Sequence, residues 1–290
     1  MANIGDIFRD LGFDVPKNEE AKSPVQRFQQ AAAEGSAATD SLLLPRDSRS
    51  VLKALGRQGK QSVNLALLLN KYSAELEGEK IKKLRVPVVS EELQELLEQL
   101  NRLYADLKDV QELSLATASR MVVGLGGATV YETGMTFHHV YGCPYIPGSA
   151  VKGMCRHWII QEHFGNQEDN ALRSEEFRKA FGFQEGEKSG RGEVIFFDAF
   201  PAELKRLELD IMNPHFSEYY TKAGYVLPTD DQRLIPVTFL TVPKGTKLRF
   251  VLQGGRIQIC GNSITEHLQE ALTESGIGAK NALGYGLFVA

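Results

Sequence analysis

The sequence predicts an α+β protein in two parts, a mainly helical N-terminal region over residues 1–112 and a sheet domain over residues 113–290. Three observations carry that reading. Leu93, Leu96, Leu97, Leu100, Leu103, Tyr104 and Leu107 recur at spacings of three and four, the apolar stripe of one helix. Near residue 113 the pattern changes to short runs rich in β-branched and aromatic residues, the signature of strands. Only a few helical segments interrupt those runs, which indicates an α+β sheet domain.

Taken in order, Ser23-Pro24 supplies an N-cap followed by proline at the first helical position, opening a helix through about Ala33. Gly35 to Asp40 is a polar break, and helical segments follow near 47–55 and 61–76. The leucine helix begins at Ser90, where Glu91 and Glu92 suit its positive end. Its stripe is expected to be core or a subunit contact. Strands are expected at Leu115–Val123, Thr129–Phe137, Gly192–Phe200, Ile235–Val242 and Lys247–Leu252, with a last one closing the chain. Helices are expected near 149–164, 174–181 and 266–275. Ser149 and Ser174 read as N-caps and Gly182 as the residue past a helix end.

At 290 residues the chain buries a real core in one large or two modest domains. Nothing in it reads as a transmembrane span or a signal peptide. Cys143, Cys155 and Cys260 are odd in number and lack metal-ligand spacing, which points to buried thiols in a reducing cytoplasm. No cofactor or metal is expected: no His/Cys pair has zinc spacing, and Glu132, Asp198, Asp210, Asp230 and Asp231 are scattered. Asp198, inside an apolar run, reads as a structural carboxylate.

The net charge of −4 argues against a nucleic-acid binder, but its distribution does not. Residues 162–231 hold eight basic and fifteen acidic residues, whereas residues 232–290 hold six basic and three acidic. No carboxylate occurs from Thr133 to Gln161 or from Pro236 to Thr265, while Lys244, Lys247, Arg249 and Arg256 fall in the second run. Acid-free segments can assemble a positive groove on an acidic protein.

Two stretches carry candidate ligand chemistry. Ser275 to Ala290 holds Gly276, Gly278, Gly284 and Gly286 around Lys280, Asn281 and Tyr285, with no acid. Glycine permits close backbone approach and positive φ, and exposed N–H groups suit phosphate oxygens. Neither nucleotide-binding glycine pattern fits, and the loop follows a helix and precedes a strand, the reverse of both. A turn with an edge strand is the bland alternative. On the helix at 149–164, Ser149, Lys152 and Arg156 share a face near the positive end, which suits a phosphate or a merely solvated surface.

The block Gly124-Leu-Gly-Gly, Tyr131-Glu-Thr-Gly and Tyr141-Gly-Cys-Pro-Tyr-Ile-Pro-Gly-Ser-Ala-Val-Lys-Gly153 resembles the N-terminal signature of the RAMP superfamily of CRISPR effector complexes. Gly192–Pro201 is similar to that superfamily's next strand, and Gly276–Gly286 to its glycine-rich loop. Asp210-Ile-Met-Asn-Pro-His215 with Tyr219-Tyr220 is similar to a stretch in one subunit of the type III-B (Cmr) complex.

The resemblance implies a ferredoxin-like (RRM-like) core with insertions. It also implies an antiviral ribonucleoprotein whose partners are CRISPR guide RNA, target RNA and other Cmr subunits, the first, fourth and small fifth among them. The role implied is non-catalytic, holding the guide near its 3′ end through Ser149, Lys152, Arg156, Gly276, Gly278, Lys280, Asn281, Gly284 and Gly286, with His138 and His139 as further RNA-facing candidates. A thumb hairpin is expected within Thr221–Pro236. Two alternatives stand beside it: a metal-independent endoribonuclease using His138 or His139 as general base, and a structural capping subunit.

Overall fold

The computed structural model describes residues 64–67, 76–77, 80–81, 89, 91–104, 107–127, 129, 133–213, 216, 219, 227, 229 and 236–290. The expected helices at 23–33 and 47–55, most of the one at 61–76, His215 and nearly all of Thr221–Pro236 lie outside those residues.

The first long element is helix α1 (Glu91–Arg102). Leu93, Leu97 and Leu100 are buried in the same cluster as the sheet residues, so the stripe is core. Leu103 and Leu107, at its fading end, are exposed. Gln94 pins the helix by accepting from the Leu204 amide at 3.1 Å and donating to the Leu204 carbonyl.

Strand β1 (Val110–Thr117) follows, then a long loop, helix α2 (Gly148–His163) and two short helices, α3 (Glu168–Arg173) and α4 (Glu175–Phe181). A hairpin of β2 (Gly182–Glu185) and β3 (Lys188–Arg191) comes next. The short strands β4 (Ile195–Phe196) and β5 (Phe200–Pro201) precede a second hairpin, β6 (Glu208–Met212) with β7 (Val237–Thr241). The chain ends with β8 (Lys247–Gln253), a small ribbon of β9 (Gln258–Ile259) and β10 (Asn262–Ser263), helix α5 (Ile264–Glu274) and β11 (Phe288–Val289).

The central sheet is antiparallel, ordered β11-β1-β8-β4, with β5 also paired to β8. Counting β4 and β5 as one interrupted strand, the core reads βαββαβ in the order 4-1-3-2. That is the ferredoxin-like arrangement, with insertions after β1, after α2, after β5 and after β8.

Register decides which face is buried. Leu248 pairs with Leu115 and Phe250 with Leu113, so one face is apolar and lies in the core cluster with Val151, Cys155 and Ile159 of α2 and Leu268 and Leu272 of α5. Phe250 meets Phe288 edge-on at 5.3 Å, a pair worth ~1 kcal/mol beyond area burial. Ser114 and Arg249 face the other way, and Arg249 is ion-paired with Glu112.

Several boundaries differ from expectation. β1 starts at Val110 and stops at Thr117, so the sheet domain begins before residue 113 and the run to Val123 leaves the sheet. Beyond it, Met121 keeps a single bridge to Val242. The described part of 129–137 forms no strand, only a bridge from Phe137 to Pro144. The Gly192–Phe200 run splits because Asp198 turns away to cap α2, as described below. Ser149 is exposed and caps nothing: α2 begins at Gly148 with Pro147 before it. Ser174 does cap α4, accepting from the Phe177 amide at 3.2 Å, and Gly182 ends that helix at φ 83°.

Candidate functional site

The glycine-rich loop is a built structure. It runs from the end of α5 to β11 and lies against the segment that leaves β1. The Ile277 amide donates to the Gly286 carbonyl at 2.9 Å, the Ala279 amide to Val122 at 2.8 Å, and the Gly286 amide to Arg120 at 2.9 Å. Gly276, Gly278, Gly284 and Gly286 all have positive φ. A Cβ on Gly276, Gly278 or Gly286 would come within 3.0 Å of backbone oxygens, whereas one on Gly284 would meet nothing. Three of these glycines therefore permit close approach of backbone to backbone within the protein, and Gly284 serves φ alone. Asn281 is also internal, reaching the Ser275 and Tyr285 carbonyls at 3.4 and 3.3 Å.

Lys280 is the exception. It sits at φ 64°, ψ 27°, a left-handed conformation that a side chain other than glycine adopts at a cost. Its ammonium lies 3.6 Å from the Met212 sulfur and 5.2 Å from the Phe239 ring centroid. Among the described residues no carboxylate stands within ion-pair range of it. The loop thus presents a cation on the β6–β7 hairpin beside a 3₁₀ turn, Asn281–Leu283, whose Leu283 is exposed.

Next to it lies an ionic cluster that the sequence did not reveal. The Tyr285 hydroxyl donates to Asp210 at 2.6 Å, Arg120 bridges Asp210 (2.9 Å) and Glu208 (3.2 Å), and Arg206 holds Glu208 at 2.7 Å. Burial alone would raise the Asp210 carboxyl, but the bonds from Tyr285, the Ile211 amide and Arg120 outweigh it and hold it below the usual range. The Arg206 guanidinium, followed by Arg120, does the same for Glu208. Arg120 reaches Glu208 and Asp210 across 88 and 90 positions, and Tyr285 reaches Asp210 across 75, so no local pattern announces the cluster.

The other candidate half does not join this surface. α2 starts beside β4 at one edge of the sheet, whereas the loop feeds β11 at the other. The positive end of α2 is already met by Asp198, whose Oδ1 accepts from the Gly148 amide at 2.7 Å. Lys152 donates to the Phe181 carbonyl at the end of α4, at 3.0 Å. Arg156 pairs with Glu168 at 2.6 Å and lies 5.3 Å from the Phe177 ring centroid. Lys152 and Arg156 thus fasten the α3–α4 insertion to α2, and the expected single groove formed by Ser149, Lys152, Arg156 and the loop is not what the structure assembles.

His138 organises a turn. Its Nδ1 accepts from the Tyr141 amide at 3.3 Å, its ring stacks on Tyr141 at 4.4 Å, and Tyr145 and Phe200 flank it edge-on. His139 is exposed, and its carbonyl accepts from Asn64 at 3.3 Å. Cys143 and Cys155 are buried, with burial pushing the Cys143 thiol up to about 12, whereas Cys260 is exposed, contrary to the expected buried thiol. Among the described residues no three of His, Cys, Asp and Glu converge as for a metal, and no helix is long and apolar enough to cross a membrane.

The sheet order and the glycine-rich loop ahead of the last strand define a class, and comparison with known proteins agrees. The RAMP superfamily model matches residues 114–289, and the chain belongs to that superfamily. It is similar to the CRISPR system Cmr subunit Cmr6 of Pyrococcus furiosus, at 35% identity over 60% of this chain, and to that of Saccharolobus solfataricus, at 27% identity over 73% of it. The matched regions span 66% and 65% of those relatives. A solved chain from a type III-B Cmr-beta complex bound to cognate target RNA has a TM-score of 0.49 at 19% identity, covering 98% of this chain and 86% of that one.

Proposed function

We propose that this chain is an RNA-binding, non-catalytic subunit of a type III-B CRISPR (Cmr) effector ribonucleoprotein of the cytoplasm, gripping the guide RNA backbone at the glycine-rich loop. Lys280 carries the proposal. Lys280 shares its left-handed backbone with Asp109, Asn166 and Cys260, and what sets it apart is an unpaired charge held in the glycine-rich loop. Its ammonium rests on an aromatic ring and a sulfur, unneutralised by any described carboxylate, beside loop backbone at the protein surface. Membership of the RAMP superfamily and the likeness to Cmr6 proteins support the assembly assigned to it.

In that assembly its partners are guide RNA, target RNA and the neighbouring Cmr subunits, the first, fourth and small fifth. The thumb candidate Thr221–Pro236 falls in the stretch of sequence between β6 and β7. Sequence is read by guide–target pairing, so this chain reads phosphates and shape. His138, engaged as a turn acceptor, serves the fold and not cleavage.

The test is Lys280→Gly. It removes the cation and the αL strain together, so the fold is as stable as wild type or slightly more so. Affinity for single-stranded RNA falls, and the slope of log K against log salt drops by about 0.7, one phosphate contact. Wild-type affinity and slope would overturn the reading, as would specific cleavage of repeat RNA in EDTA by the purified protein.

A further inference from the structure

A second cationic recess lies at the same end of the sheet as the glycine-rich loop. A cavity of about 570 Å³ is lined by Ala202, Glu203, Lys205, Arg206 and the turn Pro243–Lys247. It presents four cations, Lys205, Arg206, Lys244 and Lys247, against one carboxylate. Arg206 is engaged by Glu208, and Lys205 lies 3.6 Å from Glu203. Lys244 and Lys247 are exposed, and among the described residues neither has a carboxylate within ion-pair range.

The position of this recess is fixed by one buried residue. Thr117, 1% exposed, ends β1. Its hydroxyl donates to the Pro243 carbonyl at 2.7 Å and accepts from the Thr246 amide at 3.0 Å, and its carbonyl accepts from the Gly245 amide at 2.8 Å. On its other side Thr117 pairs with Phe288 of β11, directly after the glycine-rich loop. The lysine turn and the loop therefore flank the same strand end, about 10 Å apart by two strand spacings. Arg120 and Arg206 neutralise the carboxylates of Glu208 and Asp210 nearby.

We propose that the recess formed by Lys205, Lys244 and Lys247 is a second phosphodiester-binding site, which takes the backbone of a single-stranded RNA already held at the glycine-rich loop. It rests on the RNA-binding reading above. The recess is open and carries excess positive charge, which suits a ribose-phosphate backbone better than an apolar side chain. Continuity with the loop favours one strand crossing both sites.

The experiment compares wild type, Lys280→Gly and the triple variant Lys205→Ala/Lys244→Ala/Lys247→Ala, each as the full chain, with a fluorescein-labelled oligouridylate of 12 nucleotides over a range of salt. All three lysines are exposed, so the triple variant keeps the wild-type urea midpoint. For the 12-mer its affinity falls about tenfold near 0.15 M salt, and the slope of log K against log salt falls by about 2, three contacts at about 0.7 each. Replacing the three lysines by Arg retains affinity and slope. A triple variant with wild-type affinity and slope, while Lys280→Gly is impaired, overturns this site and leaves the loop reading standing. Wild type without salt-dependent RNA binding overturns both. An unchanged RNA slope with loss of a partner subunit on co-purification makes the recess a protein-docking surface and overturns the proposal.

Discussion

Alanine at Gly286 and at Gly284 separates two demands that the loop places on its backbone. Both residues have positive φ, 74° and 83°. An L-residue in that region costs ~1–2 kcal/mol, and both substitutions incur it. At Gly284 a Cβ meets nothing within 4 Å, so the cost stops there. At Gly286 the Cβ would come within 3.0 Å of the Ile277 carbonyl oxygen, backbone that cannot rotate away. Relief requires moving apart the two loop segments joined by the Ile277 amide and the Gly286 carbonyl, a hydrogen bond worth ~1 kcal/mol. The difference between the variants is therefore at least ~1 kcal/mol, with Gly286→Ala costing ~3 kcal/mol in all. In urea unfolding, where small proteins have slopes of ~1–3 kcal/mol/M, Gly286→Ala shifts the midpoint down by roughly 1 M or more and Gly284→Ala by about half that. RNA affinity follows the same order, because only Gly286→Ala displaces the backbone carrying Lys280. Equal midpoint shifts, or a larger effect at Gly284, would refute the close-packing argument.

Other consequences are as direct. Thr117→Val leaves the Thr246 amide without its buried acceptor, while the Pro243 carbonyl keeps the Thr246 hydroxyl, and costs ~1–2 kcal/mol, read by urea unfolding. Asp198→Ala uncaps α2 and costs ~1 kcal/mol without changing RNA affinity. Asp210 and Glu208 are held below their ordinary range, so each adds stability that is present above the unfolded carboxyl range and is lost as pH falls through the lower folded value. Wild type accordingly loses stability on acidification below about pH 4, and Asp210→Asn flattens that loss in acid unfolding curves. Lys152→Ala lowers the urea midpoint by freeing the end of α4 and leaves the RNA salt slope unchanged.

Elements governed by short-range patterns were legible in the sequence. The 3–4 spacing of leucines marked α1 and the Ser174 cap marked α4. The Lys247–Leu252 run marked the central strand almost to the residue. What went unread was set by distant contacts. Asp198 lies in an apolar run, and only the approach of Gly148, fifty positions away, makes it a cap that splits the strand. Lys152 and Arg156 share a helix face as their spacing requires, but their partners arrive on a later insertion that spacing cannot foresee. Gly276, Gly278 and Gly286 are needed for packing against the chain itself, which glycine content alone does not distinguish from making room for a ligand. The acid-free run from Pro236 to Thr265 brings Lys244 and Lys247 to one turn.

The central claim, that the glycine-rich loop holds RNA, is tested most directly by photo-crosslinking. The full chain is assembled with the Cmr subunits of the proposed complex on a guide RNA carrying 4-thiouridine, and crosslinked peptides are mapped by mass spectrometry. The account predicts crosslinks within residues 275–287, with Lys280→Gly reducing them. Crosslinks confined to other segments, with the loop unlabelled in an RNA-loaded complex, would contradict it.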